Sequence, residues 1–260
     1  MQLELIRNAT LKINYGGHLL LIDPYFAPRH SLPSFTGRSP NPMTELPRAI
    51  DDILQGVELV IVSHLHTDHF DSVAKKRVPK ALPLLCQPGD EGSIRETGFA
   101  DVRPLNETTV WQGITITPRQ GSHGLGPVVE KMGHVIGFTL EAAGEPTVYW
   151  AGDTVLYPPV AETIQQVSPD VIITHSCGAR WDGDLIVMDA EQTVALSRLA
   201  PQAIVVATHM EALDHATITR QDLRQAADTA GIDPSRLLIP ADGETLHLEP
   251  VIRSRFAKHD

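Results

Sequence analysis

The sequence predicts an α/β protein built of sheets covered by helices, and three observations carry that prediction. The chain opens on runs that alternate apolar and polar residues, the period of half-buried strands. From residue 48 onward, apolar runs of strand length alternate with stretches of helix length. No shift in composition and no short-period repeat divides the 260 residues, so one domain over 1–260 is expected.

The elements follow in order. Leu3-Glu4-Leu5-Ile6 and Leu11-Lys12-Ile13-Asn14 alternate as strands. Tyr15-Gly16-Gly17 turns the chain, and His18-Leu19-Leu20-Leu21-Ile22 returns as a strand ending at Asp23-Pro24. Residues 24–47 hold six prolines, which predicts a long irregular loop of the kind that often carries function. A helix over 48–55, a strand over 57–62 and a helix running through Lys76 come next. Strand 82–85, helix 90–97 and strand 100–103 continue the alternation. Two β pieces, 108–117 and 135–141, flank the glycine-rich loop 121–127, and a strand from Pro146 leads into Ala151-Gly152-Asp153-Thr154. The last third predicts helices at 158–167, 189–199 and 217–229, with strands at 170–174, 203–208, 236–239 and 245–249.

Bulk properties narrow the function classes. A formal net charge of −11 argues against a nucleic-acid partner held on a broad basic surface. Two cysteines, Cys86 and Cys177, cannot make a disulfide framework, which points to a reducing cytoplasm. The N-terminus lacks a basic segment followed by a long apolar core, and no run approaches the ~20 apolar residues that span a bilayer. A soluble cytoplasmic protein is expected, with no membrane partner.

Four predicted strands end on side chains able to bind metal. Val60-Ile61-Val62-Ser63 stops at His64, Val148-Tyr149-Trp150-Ala151-Gly152 at Asp153, Val171-Ile172-Ile173-Thr174 at His175, and Ile204-Val205-Val206-Ala207-Thr208 at His209. The carboxyl ends of strands are where α/β sheets gather their sites. A single histidine there is more often a cap or a satisfied core residue. The cluster His64-Leu65-His66-Thr67-Asp68-His69 is different, because so much desolvation cost in six residues calls for an ion to repay it. His64 and His66 share a face at the strand period of two. Asp68 and His69 fall where the next helix is expected to begin, where its dipole tolerates a carboxylate. Two facing sets of ligands suffice for two ions a few ångströms apart.

His64-x-His66-x-Asp68-His69, a later histidine in a glycine-rich loop, a Gly-Asp-Thr and a final strand-end histidine resemble the metallo-β-lactamase fold superfamily over nearly the whole chain. The opening strands, Ile22-Asp23-Pro24 and Met188-Asp189-Ala190-Glu191-Gln192 look most like the branch that includes L-ascorbate-6-phosphate lactonase. The resemblance implies a four-layer αββα sandwich with a dinuclear site at one edge. Carried over position by position, His64, His66 and His123 hold one ion, Asp68, His69 and His209 the other, and Asp153 bridges. His123, in Gln120-Gly121-Ser122-His123-Gly124, is preferred over His134 for its tight glycine setting. Two divalent ions are implied, Zn²⁺ by default with Mn²⁺ or Fe as alternatives, and a metal-bridging water or hydroxide as nucleophile.

Other residues have weaker standing. Besides Asp68 and Asp153, His175 and His215 are candidates for catalysis, each against a plain structural role. Cys177 reads as a partly buried thiol, Asp189 as a helix cap, and Glu211 as solvated. Asp23 either orients a ligand histidine or shapes the turn before Pro24. Arg38, Arg119, Lys131 and Arg180 are candidate partners of an anionic substrate, each more often a surface charge. His18, His30, His247 and His259 have no supporting pattern. The leading expectation is a metal-dependent hydrolase of a small ester, lactone, amide or phosphoester, with a homo-oligomer left open. The alternatives are a phosphodiesterase or nuclease on the same fold, a diiron redox or dioxygenase-type protein, and a non-catalytic metal-binding protein.

Overall fold

The computed structural model describes residues 1–248, so His259 and the end of the strand expected over 245–249 lie outside the described residues. In chain order the elements begin with β1 (Gln2–Arg7), β2 (Thr10–Tyr15) and β3 (His18–Ile22). Next come α1 (Ile50–Leu54), β4 (Leu59–Val62), α2 (Ser72–Arg77), β5 (Leu84–Cys86), α3 (Glu91–Glu96) and β6 (Val102–Pro104). Then follow β7 (Thr109–Trp111), β8 (Ile114–Gln120), α4 (Val128–Met132), β9 (Ile136–Glu141), β10 (Val148–Gly152), α5 (Pro158–Val167) and β11 (Val171–His175). The last are β12 (Arg180–Trp181), β13 (Asp184–Leu185), α6 (Ala190–Leu199), β14 (Ile204–Thr208), α7 (Arg220–Thr229), β15 (Leu237–Leu238) and β16 (Thr245–His247).

Among the described residues, two large sheets of seven strands result. One runs β16-β1-β2-β3-β4-β5-β6, the other β15-β14-β11-β10-β9-β8-β7. In the first, β16 through β3 pair antiparallel and β3 through β6 parallel. In the second, β7 through β10 pair antiparallel, and β10, β11, β14 and β15 parallel.

The strand period of two then builds four layers. Leu59 and Ile61 of β4 join Val148 and Trp150 of β10 in the core between the sheets. Their neighbours Val60 and Val62 pack outward with Ile53, Ala74 and Ile94 from α1, α2 and α3. Tyr149 and Ala151 pack outward on the other side with residues of α5, α6 and α7. Central strands are buried on both faces, which is why they read as continuous apolar runs. Helix starts are specified locally. Asp189 accepts from Gln192 N at α6, and Thr219 and Asp222 form a capping box at α7.

The structure departs from the sequence-based elements in three places. The single piece expected over 108–117 is a hairpin, broken at Gln112-Gly113, where both residues take positive φ (47° and 80°). Such a two-residue turn matches the twist of the strands it joins. The helix expected straight after the histidine cluster starts only at Ser72, and its N-cap is Asp71, not Asp68. The short α4 and the β12–β13 pair were not expected, being too brief to display a period.

Candidate metal centre

The ends of β4, β10, β11 and β14 bring His64, Asp153, His175 and His209 to one edge of the sandwich. Two groups of side chains have ligand atoms within 4.8 Å of one another: His64, His66, His123 and Asp153, and His69, Asp153, His175 and His209. Asp153 belongs to both. Its Oδ2 lies 3.2 Å from His69 Nε2 and 3.3 Å from His123 Nε2, and its Oδ1 lies 2.5 Å from His175 Nδ1. Asp68 adjoins the second group, with Oδ2 3.1 Å from His209 Nε2 and 3.5 Å from His69 Nε2.

The imidazoles are oriented by what holds their outer nitrogens. His69 Nδ1 is 2.8 Å from Asp23 Oδ2, His123 Nδ1 2.8 Å from the Ile186 carbonyl, and His64 Nδ1 3.0 Å from Ser63 Oγ. His209 Nδ1 lies 3.5 Å from Cys177 Sγ. Each Nδ1 is thereby engaged and each Nε2 turns inward, the arrangement that presents lone pairs to a cation. His64 Nε2 is buried with no hydrogen-bond partner among the described residues, an orphan that a metal ion would satisfy. A donor set of imidazoles and carboxylates, none freely exposed, fits divalent transition ions.

Electrostatics tie the cluster together. Burial opposes ionisation of Asp153, but His209, His69 and His123 outweigh it and hold the carboxyl well below its usual range. Burial likewise opposes the protonated form of His69, yet Asp153, Asp68 and Asp23 carry its pKa up to about 10. His64, desolvated and beside His69 and His66, moves the other way and stays neutral. His175 is pushed down to about 4 chiefly by burial, despite its bond to Asp153. His175 is fully buried and edge-on to Trp150, with Asp153 on its Nδ1.

Several participants escaped the sequence reading. Asn8, which no sequence pattern singles out, donates from Nδ2 to the Asp68 carbonyl (3.1 Å) and stands 3.2 Å from His209 Nε2. Ser63 donates both its N–H and its hydroxyl to Asp23, each at 2.7 Å. Asn8, Asp23 and His209 all adopt left-handed backbone (φ 58°, 44° and 63°), a conformation that Asn, Asp and His tolerate better than most residues. His134, the rival of His123, is exposed and belongs to neither group.

The loop bearing His123 depends on a glycine. At Gly124 φ is +107°, and a Cβ would stand 2.5 Å from Val128 Cγ1 and 3.3 Å from the Leu185 carbonyl. Gly124→Ala should displace His123 from Ile186 and destabilise the fold by about 1–3 kcal/mol. Thermal unfolding and metal analysis check this. Gly126→Ala, also at positive φ but with nothing within 4 Å, should retain its metal. Equal metal content in the two variants would remove the steric argument.

A family model for the β-lactamase superfamily domain matches residues 18–210. The chain belongs to this superfamily. Within it the chain is 36% identical to UPF0173 protein YddR of Bacillus subtilis, over 94% of this chain and 99% of the relative. A UPF0173 metal-dependent hydrolase of Xanthobacter autotrophicus is 24% identical over 94% of the chain. Among solved structures, a possible metal-dependent hydrolase from Veillonella parvula superposes with a TM-score of 0.91 at 36% identity, covering 95% of this chain and 98% of that one. An isothiocyanate hydrolase from Delia radicum gut bacteria gives 0.90 at 35%, covering 95% and 99%. The family is one of metal-dependent hydrolases.

In this member of the superfamily a cavity of about 340 Å³ opens onto the two groups. Phe35, Leu65, Met132, Trp181 and Ile186 form its apolar walls, and His66, Asp68, His123, Asp153 and His215 its polar end. Among the described residues lining it, Lys131 is the one cation, and its Nζ is paired with Asp182 at 2.7 Å. Arg38, Arg119 and Arg180 do not line it and are engaged by Thr36 and the Ala216 carbonyl, by Thr139, and by the Gly183 carbonyl. Glu211, expected to be solvated, instead pairs with Arg220 at 2.5 Å. The reason is the turn after β14, which carries Glu211 to the start of α7.

Proposed function

We propose that this protein hydrolyses a small uncharged electrophile at a two-ion centre, with an isothiocyanate as the leading substrate class. The observation that carries this reading is an apolar cavity ending on two convergent donor groups, with no unpaired cation among the described residues that line it to attract a phosphate. A likeness of 35% identity to an isothiocyanate hydrolase supports the choice among uncharged substrates. Esters, lactones and amides remain in the class, and phosphoesters fit it poorly.

In this reading His64, His66 and His123 hold one ion, Asp68, His69 and His209 the second, and Asp153 is shared. When bound, divalent ions, Zn²⁺ by default, supply a Lewis acid and bring the pKa of a bound water to about 7. The chain's own residues do the rest. Asp23, Ser63 and the Ile186 carbonyl orient imidazoles, His175 aligns the Asp153 carboxylate, and the apolar walls exclude bulk water. Residues 1–260 are read as one domain, because β1 and β16, from opposite ends of the described chain, share a sheet. No helix among the described residues is long and apolar enough to cross a membrane.

Elemental analysis of natively purified protein, followed by turnover of an arylalkyl isothiocyanate, a lactone and a phosphodiester, tests the proposal. The expected result is transition metal in the protein and fastest hydrolysis of the isothiocyanate. Full turnover by metal-free protein, or a clear preference for the phosphodiester, would overturn it.

A further inference from the structure

The irregular loop predicted over 24–47 contributes a strap that is held to one carboxylate. Asp214 accepts from Phe35 N at 2.9 Å, Thr36 N at 3.0 Å, Thr36 Oγ1 at 2.6 Å and Asn41 Nδ2 at 2.9 Å, and also from Ser34 Oγ. Its own N–H donates to Asn41 Oδ1 at 2.9 Å. These bonds place the Phe35 ring edge-on to the next residue, His215, with centroids 4.9 Å apart and planes at 89°. Both rings line the cavity over the two donor groups.

His215 is only 8% exposed, and its imidazole has no hydrogen-bond partner among the described residues. Its Nδ1 is fully enclosed. Nε2 is not among the enclosed atoms, so it is the nitrogen that the cavity can reach. A buried N–H without an acceptor is rarer, and more costly, than a buried acceptor without a donor. The proton therefore belongs on Nε2. Burial pushes the His215 pKa down to about 4, so the ring is neutral at physiological pH.

We propose that His215 is a catalytic residue that donates an Nε2–H hydrogen bond to the substrate heteroatom on which negative charge develops during attack. The proposal rests on the hydrolase reading above. A neutral imidazole suits this task, because it polarises without giving up its proton and presents no charge to an uncharged substrate. The strap fixes the ring's orientation through Phe35, so the donor is aimed before substrate arrives.

Long-range ¹H–¹⁵N spectra of the ¹⁵N-histidine-labelled wild type should assign the His215 proton to Nε2. His215→Phe should retain wild-type metal content and lose about 10²–10³-fold in kcat, the usual effect of removing one such donor. His215→Gln, whose amide nitrogen can reach the Nε2 position, should recover part of that loss. A proton found on Nδ1, kcat in His215→Phe within about twofold of wild type, or a metal deficit that accounts for its lost activity would each overturn the proposal. Should His215→Phe fail to fold, the wild-type spectra and the Gln variant still decide. Failure of the hydrolase reading has a different signature: the wild type turns over nothing in the panel, and this proposal falls with it.

Discussion

Asp153→Ala is expected to empty both centres at once. The carboxylate is common to both donor groups, with Oδ2 facing His69 and His123 and Oδ1 lying 3.6 Å from His209 Nε2. Its removal would take an anionic ligand from each ion of the proposed pair and leave His175 without the partner on its Nδ1. Loss of an electrostatic group of this kind typically costs about 3–4 kcal/mol at the transition state, so hydrolysis should fall about 10²–10³-fold. The informative comparison is His123→Ala, which removes a ligand from the first group alone. Metal analysis should find that variant still carrying metal at the second group and Asp153→Ala carrying none. If Asp153→Ala retains as much metal as His123→Ala, the carboxylate is not shared.

The second large effect concerns a residue that touches no ion in the proposed arrangement. Asp23 is fully buried and receives the Ser63 N–H, the Ser63 hydroxyl and His69 Nδ1, all within 2.8 Å. Asp23→Ala would leave three buried polar groups unpaired and should cost about 3–5 kcal/mol in denaturant unfolding. Asp23→Asn separates charge from shape. Asparagine tolerates the left-handed backbone there (φ 44°), and its carbonyl can still accept from Ser63. Its amide N–H, however, would face the Nδ1–H of His69. The ring must then change tautomer or turn, and metal affinity should weaken about 10–100-fold. Competition against a chromophoric chelator measures this, and wild-type affinity in Asp23→Asn would refute the positioning role.

How much of this was legible in the chain differs from element to element. The alternating layers were legible because strands buried on both faces must be apolar throughout, as Val60-Ile61-Val62 and Val171-Ile172-Ile173 are. The six-residue cluster stood out because four potential ligands, three histidines and one aspartate, follow such a run closely. Asn8 gave no such signal. It meets His209 across 201 positions of sequence, and nothing local marks a turn asparagine as part of a site. Asp71 was hidden by Asp68, since either could cap a helix starting near residue 70, and only the turn in which His69 N and Phe70 N both reach the His66 carbonyl decides between them. His215 was visible as a residue but not as a wall of the cavity. That depends on the strap held by Asp214, whose partners lie more than 170 positions upstream.

The two sheets follow the same plan, an antiparallel stretch of four strands continued by three parallel ones. In that plan β3 and β10 hold the same rank, and each is followed immediately by an aspartate, Asp23 in one half and Asp153 in the other. Asp153 faces the inward nitrogens, whereas Asp23 grips His69 from the far side. Two equivalent carboxylates have thus split one task, the first facing the cargo and the second bracing its holder. The candidate ligands are split as well, His64, His66, Asp68 and His69 coming from one half and His123, Asp153 and His209 from the other. An ion bound there is a rivet through the seam of the molecule, and its binding energy adds to the cohesion of the two halves.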